Sequence, residues 1–77
     1  QFSNAIKDFD FVLKITPNYE DAFLKKAQCF EELNQFENAL DIYTKVLENN
    51  PDNVEISKKI KVCKINKTKE KLIKNKF

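Results

Sequence analysis

Seventy-seven residues are enough for one small domain, which buries only ~60% of the surface its unfolded chain exposes. Apolar residues make up 42% of the chain, which argues against disorder, and no apolar run approaches the ~20 residues of a membrane span. Two cysteines and no histidine leave little material for metal or nucleophilic chemistry, while the net charge of +2 hides a division: residues 1–53 hold five Lys against ten Asp and Glu, residues 54–77 nine Lys against two Glu.

The periodicity predicts three to four antiparallel helices. Over residues 3–15, Ala5, Ile6, Phe9, Val12 and Leu13 recur at three- and four-residue steps and form one apolar stripe. Pro17 ends that helix, because proline lacks an amide donor and excludes its predecessor from helical geometry. The second helix is predicted over 20–33, with Glu20 and Asp21 at its positive N-terminal dipole and Phe23, Ala27, Phe30 and Leu33 inward. The chain has no Gly, so Asn34 is left to supply the left-handed residue that caps this helix. The third covers 36–49, with Ala39, Leu40, Tyr43, Val46 and Leu47 inward, and Pro51 ends it. "DNVE" from Asp52 to Glu55 has capping-box spacing for a fourth helix over 53–72. There Ile56, Ile60 and Cys63 form a narrower stripe, and the end is expected to fray.

The chain also repeats itself. "QFSNAIKDFDFVLKITP" at 1–17 and "QFENALDIYTKVLENNP" at 35–51 agree at seven of seventeen positions, with Ile6/Leu40 and Phe9/Tyr43 as near matches. The unit is a helix–turn–helix of 34 residues closed by a proline, and it resembles the tetratricopeptide repeat family. The family's marks fall on Phe23, Ala27 and Phe30 in the first helix of the unit and on Ala39, Tyr43 and Pro51 in the second. Ala5, Phe9 and Pro17 hold the matching places one unit earlier, whereas Asn34 replaces a usual Gly and Lys26 a usual Leu. The resemblance implies an all-α, right-handed α-solenoid of antiparallel helix–turn–helix repeats. Residues 1–19 then read as the second helix of a truncated repeat, 20–53 as a complete repeat, and 54–77 as a basic C-terminal capping helix and tail.

Neither helix of such a unit buries its stripe alone, so units must stack. Gln1 falls inside a repeat, and the chain reads as a piece of a longer protein. Ala5 and Phe9 are expected to face protein beyond it, and the stripe from Phe2 to Ile15 to be exposed in part. At the other end Lys61 and Lys64 stand where Ala27 and Phe30 stand one unit earlier. A further helix could not pack there without burying ammonium groups, so the array is expected to end.

For function, the sequence offers no phosphate loop, no metal-ligand spacing and no base beside a nucleophile, so no enzyme and no cofactor are expected. Cys29 and Cys63 lie 34 residues apart, hence about a helix diameter (~10 Å) apart in a stack, beyond disulfide reach. They read as reduced, buried, small apolar residues, which suits an intracellular, cytoplasmic setting. Glu31 and Glu32, like Asp8 and Asp10, read as solvation of outward helix faces.

The resemblance implies a protein–protein interaction module that holds a peptide or partner helix on its concave face. That face would show Asp21, Leu24, Lys25, Gln28 and Glu32, then Lys58, Lys59 and Val62. The plainer alternative makes these ordinary solvated residues. A narrower one follows from likeness to the last repeat and final helix of large immunophilins and heat-shock co-chaperones, which grip an acidic chaperone tail. Lys25 sits where that clamp places one base, but Asp21 sits where another would be, and it would repel carboxylates. The Lys-rich segment 58–76 is a solvated helix end or, alternatively, a tether to nucleic acid, membrane or acidic protein. A protein or peptide is the expected partner, with no small-molecule substrate.

Overall fold

The computed structural model describes the backbone of residues 1–76 and the side chains of residues 1–73. Four helices follow one another: α1 (Phe2–Ile15), α2 (Glu20–Glu32), α3 (Phe36–Asn49) and α4 (Val54–Lys76). Each packs on the next, α1 on α2, α2 on α3 and α3 on α4. The product is a slab of 43 × 32 × 13 Å, its thin dimension little more than one helix diameter of ~10–12 Å. The chain is all-α, and it is layered as stacked helical hairpins.

The helix ends follow from particular residues. Thr16 and Asn50, each followed by proline, are extended at φ −127°, ψ 82° and φ −134°, ψ 74°, so the repeat in sequence is also a repeat in backbone. Asn34 takes φ 59°, while its amide bonds the Glu31 carbonyl at 2.9 Å and the Gln35 amide bonds the Phe30 carbonyl at 2.8 Å. This is a Schellman cap built on asparagine in a chain without glycine. At α4 the capping residue is Asn53, not Asp52: its Oδ1 accepts the Ile56 amide at 3.2 Å. The expected capping box therefore does not form: both candidates are competent caps, but with Asn53 chosen the third helical position is Ile56, which has no side-chain acceptor to return the bond. The helix also runs past the predicted end at 72 to Lys76, and its second half is rich in the helix-forming Lys, Glu and Leu.

The core sits where α3 meets both neighbours. Ala39, Ile42, Tyr43 and Val46 of α3 are buried, together with Ala22, Ala27 and Cys29 of α2 and Ile56 and Cys63 of α4. Ala27 and Ala39 are fully enclosed, which lets α2 and α3 approach closely. Leu40 and Leu47, with Phe23, Phe30 and Ile60, cover this centre from the edges. Ile42 and Ala22 lie outside the predicted stripes because a helix with two neighbours buries a wider arc than one stripe. By contrast α1 has one neighbour and no buried residue, and its Phe2, Phe11 and Ile15 are exposed. Lys26, in place of the family's Leu, pairs with Asp10 of α1 and holds its ammonium 5.9 Å from the Phe30 ring centre.

One carboxylate joins three helices. Glu31 of α2 accepts the Tyr43 hydroxyl of α3 at 2.6 Å through Oε2 and the Cys63 thiol of α4 at 3.2 Å through Oε1. This corrects the reading of Glu31 as outward solvation: it is half-buried, and it is the acceptor that both inward donors require. Burial first, and then the hydrogen bond to Glu31, push the Cys63 thiol up to about 12 and the Tyr43 hydroxyl upward in the same way. Both cysteines are free and buried. Cys63 is a proton donor here, not a thiolate.

Two outcomes test this account. Ala39→Leu overfills the contact between α2 and α3 and should cost of order 1–3 kcal/mol in chemical denaturation; a variant that unfolds with the parent would refute the close approach. The second concerns pH. The folded state holds the Cys63 proton from an ordinary value near 9 up to about 12, so its contribution is complete below pH 9 and declines from there to pH 12. Cys63→Ala should therefore show a shallower loss of stability than the parent over that range in a denaturation series; parallel pH profiles would remove Cys63 from the node.

Candidate functional site

The surface shared by α2 and α4 contains a hollow of about 810 Å³. Gln28, Glu31 and Glu32 contribute from α2, Asn34 and Phe36 from the turn and the start of α3, and Lys59, Asn66, Lys69, Glu70 and Ile73 from α4. Its wall nearest the core is the Glu31 node, which fixes α2 and α4 against each other through Cys63. The rim carries both signs of charge. A second, more apolar hollow of about 580 Å³ lies between α1 and α2, lined by Phe2, Ala5, Phe9, Lys25, Gln28, Cys29 and Glu32. Ala5 and Phe9 face open space there, at the places where Ala39 and Tyr43 are enclosed one unit later.

The eight residues predicted for the concave face separate in the structure. Gln28, Glu32 and Lys59 converge on the larger hollow. Lys25 lines the smaller one and pairs with Asp21 at 3.4 Å across one helical turn. Both partners are more than half exposed, so that pair adds little to stability, ~0–1 kcal/mol. It does set a carboxylate beside the only base α2 presents on that side. Leu24 is partly buried and packs against the core, on the Ala27 side of α2. Lys58 and Val62 are exposed on α4 and line neither hollow.

Sequence reasoning missed Asn66, Lys69, Glu70 and Ile73. Their signal was the helical step itself: Lys59, Asn66 and Ile73 are seven apart and share one face of α4. Of the four, only Ile73 lies past the predicted end of the helix at 72. Beside it, Lys67 reaches Glu37 of α3 at 2.8 Å, and this hydrogen bond and charge hold the Glu37 carboxyl below its ordinary value. The pair joins the start of α3 to the second half of α4, and as an exposed pair it adds little to stability. Among the described residues no cluster of His, Cys, Asp and Glu could hold a metal ion, and no helix is long and apolar enough to cross a membrane.

Comparison with known proteins agrees with this geometry. The family profile of the tetratricopeptide repeat matches residues 21–53, the unit made by α2 and α3. The chain is 35% identical over 65 residues to a "DnaJ homolog subfamily C member 7 homolog" of Dictyostelium discoideum, covering 84% of this chain and 12% of that protein. It is 38% identical over 64 residues to "Protein PHOX3" of Arabidopsis thaliana, covering 79% and 8%, and 33% identical over 70 residues to "Protein PHOX1" of the same plant, covering 87% and 9%. The chain thus spans about a tenth of the length of the relatives it matches. No solved structure gives a significant match. Repeat length, Schellman turn, enclosed alanines and closing proline all coincide with the matched segment, and the chain belongs to the tetratricopeptide repeat family.

Proposed function

We propose that this chain is a non-catalytic protein–protein interaction module that takes a peptide or partner helix in the hollow between α2 and α4. The observation that carries this reading is the convergence of Gln28 and Glu32 of one unit with Lys59 of the next around a single opening. Corresponding helices of successive repeats build one continuous surface, and a ligand lying across both is read by side chains from each. The lining suits a polypeptide, because it alternates amide, carboxylate and ammonium groups with the apolar Phe36 and Ile73. Two buried free thiols suit a reducing, intracellular compartment.

A second reading, capture of an acidic chaperone tail, draws on the match to a protein named as a DnaJ homologue. The Asp21–Lys25 pair speaks against it, since a tail carboxylate would have to displace Asp21 from Lys25. Selection of random displayed peptides on the immobilised chain tests the first reading. Selected peptides should lose about tenfold or more in affinity, ~1.4 kcal/mol, against a Gln28→Ala/Lys59→Glu variant that melts like the parent. Failure to select any binder, or binders indifferent to both changes, would refute it. An acidic tail peptide whose affinity falls on Lys25→Ala would instead favour the second.

A further inference from the structure

We propose that the exposed side of α4 is a separate docking surface whose ligand is an acidic amphipathic helix of a partner protein. Val62, Ile65 and Leu72, with Ile73 beside them, are each at least half exposed on a helix whose opposite side already packs on α3 through Ile56, Ile60 and Cys63. Val62, Ile65, Lys69 and Leu72 follow steps of three, four and three, so they form one ridge. Over ten residues that ridge is about 15 Å long at ~1.5 Å per residue, the length and form that another helix packs against. A polar solubility cap needs no such ridge. The helix is also longer than its support: α4 has 23 residues against 14 in α3, and no side chain from Lys64 to Ile73 is buried.

Charge chooses the ligand. Lys61 runs along one flank of the ridge and Lys58 and Lys69 lie on its crest, all exposed. Among the described residues these three form no ion pair, whereas Lys67, on the packed side, is held by Glu37. A helix with an apolar stripe and glutamates beside it satisfies both features, the stripe on the ridge and the carboxylates against the ammonium groups. A nucleic acid would neutralise the lysines but leave the ridge uncovered, and there is no arginine for bidentate phosphate contacts. An anionic membrane would cover the ridge but would draw the acidic body, net −5 over residues 1–53, toward like charge. Lys69 and Ile73 also border the larger hollow, but Ile65 and Leu72 line neither, so changes at those two test this surface apart from the peptide reading above.

The probe is a synthetic helical peptide with leucines at alternating three- and four-residue steps and glutamates on both flanks, titrated against the whole chain by fluorescence anisotropy. It should bind, weaken as salt rises, and shift backbone amide resonances centred on residues 61–73. Ile65→Asp/Leu72→Asp, which alters only exposed side chains, should lower its affinity about tenfold or more while helix content and melting stay those of the parent. Lys58→Glu/Lys61→Glu should weaken it with a reduced salt dependence, and the same peptide with lysine for glutamate should not bind. Absence of binding, or binding unaffected by the Ile65/Leu72 changes, overturns the proposal. It is also overturned if phosphatidylserine vesicles or single-stranded RNA bind with that same sensitivity while the peptide does not. Self-association of the chain abolished by the same substitutions would give the ridge to a second copy and overturn it equally.

Discussion

The stripes of α1 and α3 are nearly the same in sequence, and what separates their burial is the second neighbour that α3 has and α1 lacks. With two neighbours, α3 buries Ala39, Ile42, Tyr43 and Val46. With one, α1 buries nothing fully, though its sequence nearly repeats that of α3. Two nearly identical stripes thus have opposite fates, and only stacking distinguishes them. Ala27 and Ala39 make the stacking close: with no side chain beyond Cβ, they bring α2 and α3 near enough for Phe23 and Phe30 to close the edges of the contact. Stability in such a chain belongs to interfaces between helices more than to any helix alone.

The Glu31 node shows how a polar group enters that scheme. A carboxylate placed inside a stack is costly unless its lone pairs are taken up, and here a hydroxyl and a thiol from two other helices take them. The arrangement is directional where the apolar contacts are not. It sets the register of α3 and α4 against α2 at one level of the slab, and it keeps Cys63 protonated and inert. The same residue lines the larger hollow, so the wall of that surface and the register of the stack share one side chain.

Much of this was legible in the sequence. The proline after each second helix, the small–aromatic spacing and the 34-residue step specify helices, turns and stacking order, because each rests on local geometry that tertiary contacts do not overturn. Asn34 was legible by elimination, as the turn needs a left-handed residue and there is no glycine to supply it. Where two neighbouring residues could do the same work, the sequence was silent: Asp52 and Asn53 are both caps, and only the position of the Ile56 amide chooses. Glu31 and Glu32 are likewise equivalent as letters, and what separates them is a hydroxyl twelve residues away. The surface of α2 and α4 was half legible, since Gln28, Glu32 and Lys59 follow from the repeat, while Asn66, Lys69 and Glu70 lie beyond the segment the repeat specifies and Ile73 beyond the predicted helix end.

That extension also ties the two surfaces of α4 together. Lys69 and Ile73 line the hollow on one side and border the exposed ridge on the other. A ligand long enough to pass over Ile73 from the hollow reaches the ridge, and a helix seated on the ridge narrows the opening of the hollow. The lysines around this edge lie on the end of a chain whose first 53 residues are net negative, so charge concentrates approach of an acidic partner on α4 rather than over the whole body. The field steers the partner, while the apolar ridge and the mixed lining decide what is retained.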